Sequence, residues 1–578
     1  MKNKNFFSRD FRISSFQLAT SNWQLIRRNG RPKDPFVSRL TSCLSPFLLL
    51  FIFVSFIIRA HGQQIPLDIT VQNRYNEITL NADTSIFTGF RSINWIEVDP
   101  YLSNVRNNVI DSIFGLSQTP GNYAFKNIGN NNWVQLSNGR HSFTIDPYII
   151  AVGGTQNADS GSKGLVQAIG GLQIQGVYKN KLSYSIGFST GYSRFPNYLN
   201  DFIDSSQNYI PGVGKGTAKS NGYTATQVNA NITYQPSKYF LVAAGYGKNF
   251  IGDGYRSLIL SDNVSNYPYL RFQGRLWKLT YNVIYNKFTN PRYTVDGHKQ
   301  RKYSVMHYLG INFSSKFQMG LYDNVIWFVK DSLYGQRGFD VQYINPVIFM
   351  RPIEFAIGSP DNAFVGITLK YKIYKHGFLY GQIGLDDLNL TSSLENHSQN
   401  YANKYVLQLG IYNKDFLKVK NLSWRFEWNG VRPYTYGHWF GKTGLNYTHN
   451  NQPLADPFNA NFHEFISMFQ YHNKRWYGIL ENLFTIRGEN PGVPYNNGED
   501  LWGGDAGVPI FGSKTLQGTH HKYFYNQLSA GYLLNPKNRL SLQLDAVYRH
   551  HSAPGISNNS VFFTVGIQTR LFNYYHDL

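Results

Sequence analysis

Residues 539–550 read RLSLQLDAVYRH, and this stretch decides the fold. The even-numbered residues from Leu540 to Tyr548 are apolar, whereas the odd-numbered ones are mostly polar or charged. Because successive side chains of a β-strand point to opposite faces, such a run places one face in an apolar medium and the other in water. Strands of soluble proteins average about 5–6 residues, whereas a tilted membrane strand takes about 9–11. The stretch therefore predicts a membrane-spanning β-strand.

The same alternation recurs along the chain after residue 140. It is clear in residues 181–193 and 402–412, where apolar side chains occupy every second position. The candidate strands are 141–152, 165–179, 181–193, 222–235, 238–247, 267–276, 278–289, 303–315, 317–330, 362–375, 377–390, 402–414, 420–432, 464–473, 475–488, 522–534, 538–550 and 560–573. We predict an all-β fold, a transmembrane antiparallel β-barrel of about 18 strands, with an N-terminal periplasmic or plug segment.

The composition agrees with a barrel and argues against other classes of protein. Aromatic residues make up 16% of the chain and charged residues 15%. A helical membrane protein would need repeated runs of about 20 apolar residues, which the sequence lacks. Tyr and Trp suit the interfacial girdles of a barrel, because their rings are apolar and their tips polar. The soluble alternatives are a β-propeller and a double sandwich, but no repeat of about 40–50 residues is visible.

The beginning of the chain predicts export. Residues 44–58 are uncharged and almost wholly apolar, which suits the core of a signal peptide and is short for a membrane span. Basic residues precede this run, and Ala60, His61 and Gly62 follow it as a small-x-small cleavage site. We assign residues 1–62 to a signal peptide with a long basic region and predict Sec export. The alternative is a single-span N-terminal anchor.

The predicted signal peptide leaves two parts of the chain. Residues 63–140 are polar and Asn-rich, with a weakly helical stretch near residues 100–114, and are assigned to a periplasmic or plug segment. Residues 141–578 are assigned to the barrel. The one cysteine, Cys43, lies in the segment expected to be removed. The mature protein is therefore expected to have no disulfide and no Cys-ligated metal.

The connections between the predicted strands alternate in length. Tight turns such as Pro236-Ser237 alternate with the long segments 194–221, 331–361, 433–463 and 489–521. In bacterial barrels the short turns face the periplasm and the long loops face outward. Because loops on a rigid scaffold are free to vary and to bind, we expect the long loops to carry the function.

Two of these loops contain candidate glycan-binding residues. Sugars stack their apolar faces on aromatic rings, and Arg holds carboxylates with two parallel hydrogen bonds. The net charge of +21 also favours an acidic partner, either polysaccharide or lipid A phosphate; we expect no nucleic acid. The alternative is that these aromatics belong to the girdle and the cations face lipid phosphate. The candidates are Tyr334, Arg337, Tyr343, Arg351, Trp439 and Lys442.

The carboxylates and glycines of the predicted strands do not predict catalysis. Asp386, Asp387 and Glu427 are of the kind that a glycosidase uses, but luminal carboxylates that pair with Arg are commoner in barrels. The glycine-rich residues 245–256 are followed by strands and not by a helix, so they do not form a phosphate loop. We interpret them as a bend at the barrel rim or a ligand-contact loop. We expect no catalytic residue.

The histidines do not predict a metal site. His520-His521 and His550-His551 are adjacent pairs, and neighbouring side chains of a strand point to opposite faces. Such pairs make poor metal sites. We expect no metal and no cofactor.

Short blocks spread over residues 140–578 carry a resemblance to a known family. They include residues 252–256 (GDGYR), 343–347 (YINPV) and 427–429 (EWN). The chain resembles the Wzi-like family of outer-membrane capsule-assembly proteins, which includes the gliding-motility protein RemB of Bacteroidetes. The resemblance is carried by Gly252, Gly254, Arg256, Asn345, Pro346, Asp361, Asn362, Asp386, Asp387, Glu427, Asn461 and Glu464. It implies a barrel of about 18 strands, plugged by an N-terminal helical part and tied to surface polysaccharide or adhesion.

Three functions follow as hypotheses. The first is a non-enzymatic barrel in the outer membrane of a Gram-negative bacterium, of the Bacteroidetes. It would assemble or retain capsule or exopolysaccharide and support gliding motility or adhesion. The second is a porin-like channel for small solutes, because a barrel of this size leaves room for water unless it is filled. The third is an outer-membrane hydrolase. The expected partners are outer-membrane lipid and lipopolysaccharide, surface polysaccharide and the barrel assembly machinery.

The signal-peptide assignment predicts the N-terminus of the mature protein. Cleavage after Gly62 places Gln63 first, because the small-x-small site lies directly behind an apolar core of signal length. N-terminal sequencing of the protein from membranes is the measurement. A mature chain that still contains Cys43 would contradict the assignment.

Overall fold

The computed structural model describes most of the chain after residue 64. The described residues are 65–81, 86–94, 96–97, 129, 131–138, 140–159, 161–331, 335–349, 361–387, 399–438, 444–490, 496–503 and 507–578. The predicted signal peptide, residues 1–62, lies outside them. So do four candidate glycan-binding residues, Tyr334, Arg351, Trp439 and Lys442.

Eighteen long strands of the described chain form one closed antiparallel sheet. They are β1 His141–Ala158, β2 Gly161–Tyr178, β3 Leu182–Arg194, β4 Gly222–Ser237, β5 Phe240–Gly247, β6 Tyr267–Leu276, β7 Leu279–Val295, β8 His298–Asn312, β9 Phe317–Phe328, β10 Asn362–Tyr374, β11 Gly377–Asp387, β12 Lys404–Lys414, β13 Leu422–Val431, β14 Phe462–Asn473, β15 Trp476–Glu489, β16 Thr519–Asn535, β17 Leu540–Ala553 and β18 Ile556–Thr569. Each strand pairs with the next, and residues 150–158 of β1 pair with residues 560–568 of β18. The predicted barrel is confirmed.

The two faces of the barrel wall have opposite character. On β17, Leu542 and Leu544 are exposed on the outside, whereas Ser541 and Gln543 are buried on the inside. On β12, Leu409 is 62% exposed. A wall that is apolar outside and polar inside inverts the arrangement of a soluble protein, and it suits a barrel whose outer face meets lipid.

All six connections longer than ten residues lie at one end of the barrel. They follow the odd-numbered strands β3, β5, β9, β11, β13 and β15. Because neighbouring strands are antiparallel, every odd-numbered strand finishes at the same end. We call this end the outer end, since long loops of bacterial barrels face outward, and the opposite end the inner end.

Exposed aromatic residues mark the inner end. Trp277, in the turn between β6 and β7, is 84% exposed, and Nζ of Lys278 lies 5.1 Å from its ring centroid. Tyr239 and Trp476 are exposed at two other short turns. Rings with a polar tip are stable at the boundary between lipid and water. These residues therefore form an interfacial girdle.

The seam of the barrel differs from the prediction at both ends of the chain. The sequence predicts a last strand to residue 573, but β18 ends at Thr569 and residues 570–578 turn into the lumen. Their polar side chains find hydrogen-bond partners there that lipid does not offer. The first residues of β1 instead pair with Val134–Asn138, which precedes the predicted start of the barrel at residue 141.

The helix α1, Ile69–Asn81, was not predicted from the sequence. Val71, Tyr75 and Ile78 pack against apolar residues inside the lumen. Asn73 and Glu77 are buried as well, so α1 lacks the exposed polar face that marks a helix on the surface of a soluble core. Asp68 caps it, accepting a hydrogen bond from Thr70 N at 3.0 Å. The Asp68 carboxylate also lies 3.0 Å from Nη2 of Arg570, which fixes α1 to the end of β18.

The outer-end loops contain further short elements. The helix α2, Asn197–Ser205, buries Leu199 and Ile203. Short strands are Tyr209–Ile210, Gly214–Lys215, Thr217–Lys219, Lys330–Asp331, Gly335–Gln336, Thr448–His449 and Gln452–Pro453. Among the described residues, Val341–Ile344 forms a 3-10 turn in an outer loop and Phe416–Lys418 forms one at the inner end. None of the helices in the described ranges has both the length and the apolar character to cross a membrane.

The exposed band predicts a depth-dependent cost for charge. Leu409 lies at the middle of β12, so Leu409→Lys should lower the free energy of unfolding by about 2–4 kcal/mol, whereas Trp277→Lys at the inner end should cost about 0–1 kcal/mol. Urea titration of the barrel refolded in lipid vesicles measures both. Equal costs at the two sites would mean that the band does not face the hydrocarbon.

Candidate functional site

Four segments of the chain fold into the lumen. They are the described part of residues 65–97, and residues 248–266, 444–461 and 570–578. Backbone hydrogen bonds join them: Gly252 N donates to Gly89 O, and Ser261 N donates to Leu454 O, both at 2.8 Å. Together these segments form a plug inside the barrel. The resemblance implies a plug from an N-terminal helical part, whereas three of these four segments are loops between strands or residues after β18.

The guanidinium of Arg256 lies at the centre of the plug. Its Nη2 is 3.1 Å from Glu464 Oε1 on β14 and 2.9 Å from Asp577 Oδ2. Its Nε is 3.8 Å from Asp456 Oδ2. Burial disfavours the charge of Arg256, but Asp577, Glu464 and Asp456 outweigh this and raise the pKa of the guanidinium well above its ordinary value. Arg256 therefore joins the barrel wall to three of the inserted segments.

Glu427 on β13 holds the backbone of the same loop. Its Oε2 accepts hydrogen bonds from Tyr255 N at 2.7 Å and Tyr380 OH at 2.8 Å. Its Oε1 accepts from Arg256 N and Asn429 Nδ2, both at 3.0 Å. Both oxygens are occupied and the residue is fully buried. This arrangement gives Glu427 a structural role and offers no open carboxylate for glycoside hydrolysis.

Two glycines allow the loop to approach these partners. Gly252 has φ +134°, and a Cβ there would collide with the amide of Gln382. A Cβ on Gly254 would lie 2.5 Å from Glu427 Oε2. The expectation that residues 245–256 form a bend at the rim was wrong, because residues 249–256 are buried inside the lumen. The glycines serve close packing there.

A second ionic centre ties the N-terminal segment to the wall. Asp253 Oδ1 lies 2.7 Å from Nζ of Lys370 on β10 and accepts a hydrogen bond from Thr88 Oγ1 at 3.0 Å. Arg425 on β13 donates to Asp253 O at 2.7 Å and to Asn73 Oδ1 of α1 at 3.0 Å. Burial raises the pKa of the Asp253 carboxyl, but Lys370 more than offsets this and the pKa lies below its ordinary value.

Sequence analysis did not single out Arg425 or Lys370. A signal was present, because Arg425 and Glu427 occupy alternate positions between Trp424, Phe426 and Trp428. Charged residues in the water-side register of a membrane strand indicate a polar lumen. What the sequence could not show is which inserted loop they meet.

The other residues of the resemblance fix outer loops to strand ends. Asn362 donates to Leu445 O at 2.9 Å, and Asp386 Oδ2 accepts from Tyr436 N at 2.8 Å. The side chain of Asn461 donates to Gly488 O at 2.9 Å and accepts from Leu516 N at 2.7 Å. Asp387 ends β11. These contacts order the loops around the outer mouth.

Two of the candidate glycan-binding residues are described, and both bind the same carboxylate. Arg337 Nη1 lies 2.6 Å from Asp361 Oδ1, and its Nη2 lies 2.9 Å from Asp340 Oδ2. Tyr343 is fully buried and donates its hydroxyl to Asp361 Oδ2 at 2.6 Å. Asp361, a residue of the resemblance, therefore holds them to the outer end of β10.

Histidines of neighbouring strands meet at the outer mouth. Nδ1 of His521 lies 3.0 Å from Nε2 of His551, and the His551 ring stacks on Tyr523 with centroids 4.5 Å apart. The sequence pairs His520-His521 and His550-His551 gave no sign of this cross-strand contact. Within the described ranges, no group of three or more His, Cys, Asp or Glu is placed to hold a metal ion.

A cavity of about 250 Å³ separates the plug from part of the luminal wall. It is lined by polar and aromatic side chains, which include Tyr148, Tyr198, Glu481, Gln527, Asp545 and Arg570. Asp545 accepts hydrogen bonds from Ser529 at 2.5 Å, from Gln543 at 2.6 Å and from Thr564 at 3.2 Å. Aliphatic side chains such as Leu165, Ile479 and Val547 complete the lining, so the cavity has a mixed polar and apolar surface.

The fold is similar to that of Wzi from Escherichia coli. Wzi is an outer-membrane protein involved in group 1 capsule assembly and a carbohydrate-binding β-barrel. The two structures have a TM-score of 0.51 at 11% sequence identity, over 89% of this chain and 100% of Wzi. The likeness shows a shared barrel fold. No protein-family model matches the chain, and no curated protein matches its sequence.

Two further solved structures match less well. OprD from Pseudomonas aeruginosa has a TM-score of 0.39 at 8% identity, over 75% of this chain and 96% of OprD. OccAB2 from Acinetobacter baumannii has a TM-score of 0.40 at 10% identity, over 73% of this chain and 97% of OccAB2.

The Arg256 cluster predicts an unusual pH dependence. Burial and the neighbouring Glu464 raise the pKa of Asp456, so the folded state favours its neutral form. Stability is therefore lost as the pH rises from the unfolded value of about 3.9 through the folded-state pKa. Asp456→Asn stays neutral and keeps an oxygen for Phe458 N, which bonds Asp456 at 2.9 Å. The variant should gain thermal stability over the parent as the pH rises.

The control is Glu464→Gln, which removes a charged partner of the buried guanidinium. It should destabilise the barrel by about 3–5 kcal/mol around neutral pH. The loss of heat-resistant gel mobility, followed over a pH series, compares the three proteins. An Asp456→Asn barrel that melts below the parent at every pH would show that Asp456 acts as an ionised partner of Arg256.

Proposed function

We propose that this protein is a non-enzymatic outer-membrane barrel that assembles or retains acidic exopolysaccharide at the cell surface. The observation that carries the proposal is the plug, whose buried ionic network occupies the space that a solute channel would need. A plugged barrel is a rigid support, and its remaining exposed surface is the set of outer loops. Those loops are where binding is expected.

Exposed cations at the outer end lie beside aromatic rings. The guanidinium of Arg292 lies 4.1 Å from the ring centroid of Trp502. Nζ of Lys299 and of Lys215 lie 5.6 and 6.0 Å from the ring centroid of Tyr209. The three cations are exposed. Trp502 is partly exposed, so its ring can pack on the apolar face of an acidic sugar while Arg292 binds the carboxylate. Tyr209 is buried, so Lys215 and Lys299 offer their charges alone.

The proposal places the glycan on these cations as well as on the loops chosen from the sequence. Arg337 and Tyr343 both contact Asp361. These contacts hold the loop in place, and the same groups are then occupied when a glycan arrives. Tyr334, Arg351, Trp439 and Lys442 remain candidates, as the sequence predicts. We also propose Sec export, insertion by the barrel assembly machinery, a Bacteroidetes source and a role in gliding or adhesion.

A porin-like channel is the second candidate function. The cavity of about 250 Å³ beside the wall is the observation that favours it, because a solute path would pass there. Conductance of the purified barrel in a planar bilayer separates the two functions. We expect no stepwise conductance from the parent protein.

The outer cations supply the test of glycan retention. Replacing Lys215, Arg292 and Lys299 together by Gln should weaken binding to immobilised polygalacturonate about tenfold or more, since three contacts of about 0.5–1 kcal/mol each are lost. The loss should be larger at low salt, where charges are least screened. Cells that carry the variant should shed more polysaccharide into the medium than parent cells.

A matched triple variant controls for net charge. Lys238, Lys316 and Lys420 are exposed at the inner end, and replacing them by Gln removes the same three charges. This control should bind polygalacturonate like the parent. Equal losses in both variants would reduce the effect to overall charge, and unaltered retention in the outer variant would remove the glycan site from these cations.

A further inference from the structure

Residues 335–349, between β9 and β10, lie against the outside of the barrel wall, and we call them the outer flap. Trp327 of β9 and Tyr285 of β7 point outward from the wall. The ring of Tyr343 lies 4.7 Å from that of Trp327, and the ring of Phe339 lies 5.9 Å from that of Tyr285. The outer flap thus descends along the face that elsewhere meets lipid.

The wall beneath the outer flap forms its own apolar cluster. Val283, Val305 and Val325 are buried together with Trp327 and Tyr343. These valines share the outward register of three neighbouring strands. Their burial is separate from the luminal core, so the outer flap is packed on the barrel as a second layer.

Wall tyrosines pair the polar backbone of the outer flap. Tyr285 OH donates to Ile344 O at 3.2 Å, and Tyr281 OH donates to Pro346 O at 2.5 Å. Irregular backbone is tolerated at membrane depth only where its polar groups are satisfied by protein. The outward tyrosines provide that satisfaction, and the same bonds occupy hydroxyls that lipid would leave unpaired.

Other polar groups of the outer flap are also satisfied by protein. Nε1 of Trp327 donates to Gly338 O at 3.2 Å, and Asn345 Oδ1 accepts from Val347 N at 3.0 Å. Pro346 has no N–H to satisfy. Residues 343–347, one of the segments that carry the resemblance, therefore satisfy the polar backbone groups of a loop on the outside of the barrel.

The charged residues of the outer flap lie only in its first residues, 335–340. Arg337 and Asp340 are paired near its beginning, whereas residues 341–349 read VQYINPVIF and contain no charged residue. Val341 is 70% and Val347 64% exposed, and Ile344 and Phe349 are exposed as well. This uncharged, apolar outer surface continues the lipid-facing band of the wall.

An ionisable pair on the wall explains why a cover is needed there. His307 of β8 and Asp323 of β9 occupy outward positions, with Nδ1 and Oδ2 3.8 Å apart, and both are fully buried. The ring of Tyr281, which bonds the outer flap, lies 6.0 Å from the His307 ring. Ionisable side chains facing acyl chains are costly and rare. Covering by the outer flap therefore keeps His307 and Asp323 away from lipid.

We propose that the outer flap lies in the hydrocarbon of the membrane, packed against the wall, with lipid acyl chains against Val341, Ile344, Val347 and Phe349. The occupant is lipid because the exposed surface is continuous with the lipid-facing band and lacks charge. The loop after β9 is then an extra membrane-embedded layer of the barrel and not a cover of its mouth.

Site-directed fluorescence tests the proposal on the full exported chain. Single cysteines replace Val341 and Val347 in a Cys43→Ser background and carry a small fluorophore. The barrels are refolded in phosphatidylcholine vesicles that contain lipid with an acyl-chain nitroxide. Leu409→Cys on the wall and Lys514→Cys, exposed in an outer loop, are the matched controls. Labels at 341 and 347 should lose most of their emission to the nitroxide, as the label at 409 does, and resist iodide.

Each other outcome overturns the proposal. Quenching by iodide, as at position 514, would place the outer flap in water. Protection from both quenchers would mean that protein covers it, either another chain or another part of this one. Folding of every variant is checked by heat-modified gel mobility, so a misfolded label is not counted. Because no glycan enters the measurement, its result is independent of polysaccharide retention.

Discussion

The plugged barrel depends on one buried guanidinium. Arg256 contacts Glu464 of the wall, Asp456 of the inserted residues 444–461 and Asp577 of residues 570–578. A buried charge costs several kcal/mol unless it is paired and hydrogen-bonded, so removing an ionised partner such as Glu464 is far more costly than the pair is stabilising. The wall, the inserted loops and the last residues of the chain therefore stabilise one another, and none of them is stable in this arrangement without the others. This is why the glycines and the buried acids of the network lie far apart in sequence and close in space.

The barrel was open to prediction because its signal is local. Alternation in β17 and β12 reports the medium on each face of the same strand, and each strand carries that information by itself. The helix α1 was missed because it is buried on its polar side too, so Asn73 and Glu77 interrupt the pattern that a helix on a soluble core would show. The end of β18 was misjudged since the fate of residues 570–578 is decided by partners elsewhere in the chain.

The loops show the limit of sequence reasoning about this site. Residues 245–256 were expected to bend at the rim and the long loops to face outward, yet residues 249–256 enter the lumen and residues 335–349 descend along the outside of the wall. Loop direction is set by single contacts, such as the close approach of Gly254 to Glu427 or the bond from Tyr281 to Pro346. The candidate residues Arg337 and Tyr343 were chosen for chemistry that suits sugars, and the same chemistry serves Asp361. Residue type predicts what a group can bind, but its neighbour decides what it does bind.

The contact between Asp68 and Arg570 has a consequence for the time course of assembly. The two residues are separated by 502 positions, so almost the whole chain must be in place before α1 can be fixed to the end of β18. Contacts of such long sequence separation slow folding, because the entropy of closing the loop is lost before the contact forms. The N-terminal segment is thus stabilised last although it is synthesised first, and its polar groups stay solvated until the sheet closes. A barrel stalled before that step would present an unfilled lumen and an accessible N-terminal segment, and proteases of the envelope would distinguish it from the finished molecule.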